Sequence, residues 1–332
     1  MEAGSLTEVR GGRSILERPS RWRRVDPMVR IALTGLAALI LLLIAFFFVR
    51  LFVEAKPAFD RFGYAGFIFD NNWDVSKSIY GAWALVVGTV ITSAIALVIG
   101  VPVAVAAALY LTELSPRRLR APLTVTLELL AAVPSVVYGL WGIIVLAPNL
   151  RGAEQWFTDT FAFLPFVGGT VSIPNYFVAG LVLAIMIIPI VSAISREVMA
   201  TVPPHDKEGA LALGATRWEM IRMAVLPYSR AGITGAAMLG LGRAIGETIA
   251  VTILIGNSPS IGATVFSQGY TLAAVIANEF GEAASDPIHR AALIAAGLVL
   301  FVLTLIVNGI ARVFVNRASR GERAAVPQGM AG

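Results

Sequence analysis

Residues 83–111 read WALVVGTVITSAIALVIGVPVAVAAALYL, a stretch without one charged side chain. About 20 apolar residues suffice for a helix to cross the roughly 30 Å hydrocarbon core of a bilayer. Backbone groups meet no water there, so the segment must satisfy its own N–H and C=O groups, as a helix does. A membrane barrel strand would instead alternate apolar and polar residues, and this stretch does not alternate. It reads as a transmembrane helix, long enough to tilt or protrude.

Five further runs share this character: 31–53, 122–146, 176–198, 231–255 and 291–315. They predict an all-α, polytopic membrane protein with six transmembrane helices. Composition agrees. Of the 332 residues, 57% are AVILMFWYC and 14% are charged, against about 25% charged in a soluble domain. An ordinary soluble enzyme and a disordered chain are excluded. With Cys at 0, thiolate catalysis, iron–sulfur clusters and cysteine zinc sites are excluded too. His205 and His289, the only histidines, are too few for a histidine-built metal site.

The charges orient the spans. Segments 1–30, 113–120, 196–230 and 312–323 hold 19 Lys and Arg residues, whereas 54–80, 148–175 and 257–287 hold 4. Positive residues collect on the cytoplasmic side, which predicts both termini inside. The first run follows a long basic segment and exceeds a signal-peptide core in length, so it reads as a retained anchor. Residues 1–30 read as a basic cytoplasmic segment, 31–317 as the membrane domain and 318–332 as a cytoplasmic tail.

Catalytic and nucleotide motifs are missing. No Gly-Lys-Ser/Thr occurs, so the chain lacks a phosphate-cradling loop. Gly240-Leu-Gly242-Arg-Ala-Ile-Gly246 is only a near miss to a dinucleotide fingerprint, because it follows no strand and lies in an apolar run. The sequence reads as a passage and not as a catalyst.

Two charges stand out in the fifth run. A charge at the bilayer centre costs about 2.5–3.5 kcal/mol even on the lenient insertion scale. Arg243 and Glu247 are four residues apart, share one face of a continuous helix and can pair. Such a pair either locks helices together or forms a polar station on a path. The guanidinium fork suits tetrahedral oxyanions, which it binds through paired hydrogen bonds. In the third run, Pro134 removes a backbone donor and can kink the helix beside Ser135 and Tyr138. Glu128 is expected to pair with an arginine near the inner face. Gly232, Ala236, Gly246 and Ala250 form a small-residue stripe that lets a neighbouring helix approach.

Residues 203–227 read PPHDKEGALALGATRWEMIRMAVLP. Pro203-Pro204 can open a helix, with Asp206 and Glu208 favoured in its first turn. Gly214 can close it in a left-handed conformation. A second short helix over 215–225 is expected to end at Leu226-Pro227.

Glu208, Gly209, Ala210, Gly214, Ala224, Leu226 and Pro227 resemble, in kind and spacing, the coupling motif of ATP-binding-cassette importer permeases. Gly209 and Ala224 depart from the usual alanine and isoleucine. Residues 240–251, GLGRAIGETIAV, and 130–142, LAAVPSVVYGLWG, resemble the permeases of phosphate importers, and more particularly their PstC-type subunit. The resemblance implies the type I permease architecture in a bacterial inner membrane. It implies a sister PstA-type permease, two copies of an ATPase subunit and an extracytoplasmic phosphate-binding protein as partners. ATP and Mg would bind the ATPases, leaving no cofactor, metal or catalytic residue to this chain, and no nucleic acid is involved. Asp206, Glu208, Gly209, Ala210, Gly214, Thr216, Trp218, Leu226 and Pro227 would couple to the ATPases. Arg243, Glu247, Thr248 and Ser135 would line the path of inorganic phosphate. Sulfate, molybdate or phosphonate are alternative cargoes. An ion-coupled secondary carrier would show internal repeats, and a membrane enzyme would need a further histidine or carboxylate cluster.

Overall fold

The computed structural model describes residues 25–164 and 166–323, and it divides into two units, 1–50 and 51–332. The chain up to 24 and beyond 323 lies outside the described residues, so the expectations for those termini stand there untouched. Helix α1 (Val25–Phe62) belongs to both units. Between 27 and 50 every side chain is exposed, including Leu33, Leu36, Phe46 and Phe47. Such a face suits lipid or another membrane chain.

Unit 51–332 is built on α3 (Trp83–Leu109) and α7 (Tyr176–Ala200), which pack along their lengths. Their close approach depends on glycine. A Cβ on Gly180 would lie 2.6 Å from Ile95, and one on Gly100 would lie 2.8 Å from Ile187. Small residues at such crossings replace the hydrophobic drive that lipid cannot supply. Against this pair lies α10 (Leu226–Gly246), and α13 (Pro287–Arg323) packs in turn on α10.

Three buried clusters succeed one another along the bundle. At one end the last turns of α1, helix α2 (Tyr64–Phe69) and a two-stranded ribbon, β1 (Trp73–Asp74) and β2 (Ile79–Tyr80), meet α12 (Leu272–Glu279) and α13. Trp73 pairs with Tyr80 across this ribbon, an addition to the all-α expectation. Trp73 Nε1 donates to Glu279 Oε2 at 2.9 Å, and His289 Nε2 lies 2.9 Å from the same oxygen. The middle cluster joins α3, α7 and α10 through residues such as Ile187, Val191 and Ala236. The third gathers Ala108, Met199, Val202, Met220, Ile221 and Val225.

The expected third and fifth spans are each interrupted. Helix α4 (Arg117–Ala132) ends at Val133-Pro134, and α5 (Ser135–Trp141) begins anew. Through a π turn (Gly142–Leu146) it continues into α6 (Ala147–Thr160). The apolar length able to cross a membrane is therefore Ser135–Thr160, later than the expected 122–146. The fifth run breaks between α10 and α11 (Ile249–Leu254). Among the described residues five helices are long and apolar enough to cross by themselves; the expected sixth crossing is this broken pair. The small-residue stripe holds where α10 is whole: Ala236 is buried and Gly232 abuts Val198 of α7, and Gly240, outside the stripe, abuts Val191. Gly246, at the break, is exposed.

Candidate transport path and coupling segment

The two breaks are neighbours. A Cβ on Gly139 of α5 would come within 3.1 Å of Ala250 Cα in α11, and one on Gly142 within 2.8 Å of Leu254. The order of these contacts makes α5 and α11 run side by side in the same direction. Each starts just beyond an interruption. At the first, Val133 and Pro134 are extended, and Tyr138 Oη donates to Leu130 O at 2.8 Å. That bond, with a longer one from Val133 N–H at 3.4 Å, satisfies a carbonyl whose regular helical donor the proline removes. At the second, Glu247 takes extended angles. Its Oε1 accepts from Ala250 N at 3.4 Å, Thr248 Oγ1 donates to Gly246 O at 3.2 Å, and Thr252 Oγ1 donates to Thr248 O at 2.7 Å. The side chains at this break stand in for the missing helical bonds.

The expected Arg243–Glu247 ion pair does not form. Four-residue spacing places two side chains on one face only while the helix continues, and α10 stops at Gly246. Glu247 turns to the start of α11. Arg243 is exposed and has no hydrogen-bond or ion-pair partner among the described residues. It lies close enough to Tyr138 for its charge to act on the phenol. Thr248 and Ser135 are half-buried beside their breaks. The structure thus brings Arg243, Tyr138, Ser135 and Thr248 to one interrupted wall. Sequence reasoning noticed Tyr138 without assigning it a role; its place four residues past Pro134 was the available signal. Glu128 behaves as expected: Arg196 Nη2 lies 3.9 Å from its Oε1, and Arg196 Nη1 donates to Thr124 Oγ1 at 2.6 Å.

At the end of the third cluster, α8 (Pro204–Ala212) opens on proline with Asp206 in its first turn. Gly214 has φ +87°. Its N–H donates to Leu211 O, and Ala215 N–H donates to Ala210 O, the paired bonds of a Schellman close. Helix α9 (Arg217–Met220) follows. Thr216 caps it and exchanges hydrogen bonds with Glu219. The N–H and hydroxyl of Thr216 hold the Glu219 carboxyl below its usual range. The second short helix does not end at Leu226-Pro227. It passes through a π turn (Ile221–Val225) straight into α10, because a π turn accommodates a proline ring that a regular helix rejects. Leu226 and Pro227 therefore lie inside a continuous rod. Of the remaining coupling candidates, Asp206, Glu208, Gly209, Gly214, Thr216 and Trp218 are exposed and Ala210 is half-buried. Leu213, at 91% exposure, and Trp218, at 61%, form an apolar surface on this segment. Leu213 was not singled out from the sequence; lying between Ala212 and Gly214 it carried no periodic signal.

A helical bundle with one wall interrupted at a guanidinium unpaired among the described residues, and with an apolar segment displayed at one end, defines a multi-pass membrane transport subunit. The chain belongs to the family of binding-protein-dependent transport system inner membrane components, whose model matches residues 100–320. It is 41% identical over 318 residues to the phosphate transport system permease protein PstC of Mesorhizobium japonicum, covering 94% of this chain and 96% of that one. It is 43% identical over 298 residues to PstC 2 of Mycobacterium tuberculosis, covering 87% and 91%. Among solved structures, a chain of a bacterial alginate ABC transporter, in complex with its alginate-bound periplasmic protein, superposes with a TM-score of 0.59 at 18% identity. The match covers 90% of this chain and 97% of that one. This likeness establishes the fold, that of an ABC importer permease.

Proposed function

We propose that this chain is a membrane-spanning subunit of an ATP-driven phosphate importer and forms half of the path by which inorganic phosphate enters the cell. The observation that carries the reading is Arg243, an exposed guanidinium without a partner among the described residues, beside two interrupted helices. A charge so placed in an apolar run marks a water-filled or subunit-facing surface, and its fork matches a phosphate oxyanion. Similarity to the PstC permeases supports phosphate over other oxyanions. A sister permease completes the path, an extracytoplasmic binding protein delivers phosphate, and two ATPase subunits carrying ATP and Mg dock on the surface around Leu213 and Trp218. Both termini lie in the cytoplasm, on the side that the basic segments favour. Closure of the ATPases rocks the coupling segment and turns the path from outward to inward, a rigid-body switch.

Radiolabelled phosphate uptake in cells with and without this chain tests the reading, with sulfate as competitor. Uptake should depend on the chain and resist excess sulfate. Equal uptake without the chain, or uptake suppressed by sulfate, would overturn it.

A further inference from the structure

Helix α8 buries none of its 9 residues, so packing alone fixes it weakly. His205 and Asp206 lie 3.3 Å apart on its exposed side, and Glu208 is exposed. Lys207 alone among these charged residues turns back toward the bundle. Its Nζ lies 2.6 Å from Glu113 Oε1, with side-chain exposures of 21% and 9%. Glu113 belongs to the π turn (Tyr110–Leu114) that continues α3. That turn is held in its own right, since Arg120 Nη2 donates to Thr112 O at 3.0 Å. Helix α3 in turn is packed along α7. The ion pair therefore joins the segment displayed at the bundle's end to the central helix pair. The only covalent route from α8 onward leads through α9 and a second π turn into α10.

We propose that Lys207 and Glu113 are positioning residues that deliver movement of the coupling segment to α3. The inference rests on the reading of this segment as the ATPase-docking surface. A charge pair suits the task. An ammonium carries three rotatable donors, so α8 can tilt while the link keeps its length. The pair is also sheltered enough that losing one partner strands the other charge. The adjoining π turns are places where a helix changes register without unfolding.

The test uses the whole complex in proteoliposomes, with permeases, ATPases and binding protein, and reads phosphate taken up per ATP hydrolysed. Lys207→Gln and Glu113→Gln should each lower that ratio about tenfold, within the usual range of coupling between sites, while the ATPases still co-purify. The exchange Lys207→Glu with Glu113→Lys should restore most of it. Single variants that keep the wild-type ratio would overturn the proposal. So would single variants that release the ATPases, or an exchange that assembles but stays uncoupled. Should the wild-type complex hydrolyse ATP yet move no phosphate, the substrate reading fails separately. Stimulation of hydrolysis by the binding protein then decides the matter: the single variants should lose it and the exchange should regain it, and unaltered stimulation in the single variants would overturn the proposal.

Discussion

Replacing Arg243 separates a role in transport from a role in packing. The guanidinium is exposed and has no hydrogen-bond or ion-pair partner among the described residues, so Arg243→Ala removes no bond to any of them. Substitutions of this kind shift stability by about 0.5 kcal/mol or less. Toward a phosphate oxyanion the same group offers two parallel charge-assisted bonds, each worth about 1.5–3 kcal/mol. Their joint loss comes to about 3 kcal/mol at the low end, and each 1.4 kcal/mol is a factor of ten. Uptake should therefore fall by roughly a hundredfold or more, with the complex intact. Arg243→Lys keeps the charge and loses the fork, so an intermediate loss of about tenfold is expected. The assay is phosphate flux into proteoliposomes, normalised to assembled complex measured by co-purification of all subunits. Normal flux in Arg243→Ala would refute the path assignment. A complex that fails to assemble would show instead that the guanidinium holds subunits together.

Gly180→Val should cost the bundle about 1–3 kcal/mol by overpacking, since even a Cβ there lies 2.6 Å from Ile95; a thermal unfolding scan in detergent checks it, and an unchanged midpoint would count against the α3–α7 contact. Gly214→Ala should weaken the close of α8 by about 1–2 kcal/mol through its left-handed backbone alone, because no atom stands within 4 Å of the added Cβ; reduced ATPase retention on a column reports the effect. Leu213→Asp with Trp218→Ala should release the ATPases and leave the permease's melting unaltered, both side chains being largely exposed; retained ATPase would move the docking surface elsewhere. Glu219 has a lowered pKa because Thr216 donates to its carboxylate. The cap it forms is thus complete above the unfolded glutamate range and is lost as pH falls through the lower, folded value. Carboxyl-carbon NMR of the labelled protein should show Glu219 titrating below ordinary glutamates, and an ordinary midpoint would remove the cap.

Much of the fold was legible because a bilayer leaves few choices. Apolar length marked α3 and α7 nearly to their ends and the middle of α13, and Pro204 and Gly214 bracketed α8 through backbone chemistry that is local to each residue. Glu128 was expected to find an inner arginine and meets Arg196. The breaks were only half legible. Pro134 announced a kink, but whether a proline bends a helix or ends it depends on what recovers the freed carbonyl, and here Tyr138 does so from within α5. No proline marks the break at Glu247. Its signal, a glycine followed by two side chains able to bond the backbone, is common in unbroken helices as well. The Arg243–Glu247 pairing was misread for the same reason, since its spacing presumed a continuous helix. The ribbon at Trp73 and Tyr80 and the link from Lys207 to Glu113 join residues through tertiary contact, which no local pattern encodes.

The paired starts of α5 and α11, lying beside each other, have a mechanical corollary. A rod clamped at its base moves at its tip by bending along its whole length, and a tightly packed bundle resists that. Two rods jointed at the same height move differently: the upper pieces swing together while the lower ones stay seated. This wall can open on one side of the joint without disturbing the packing on the other.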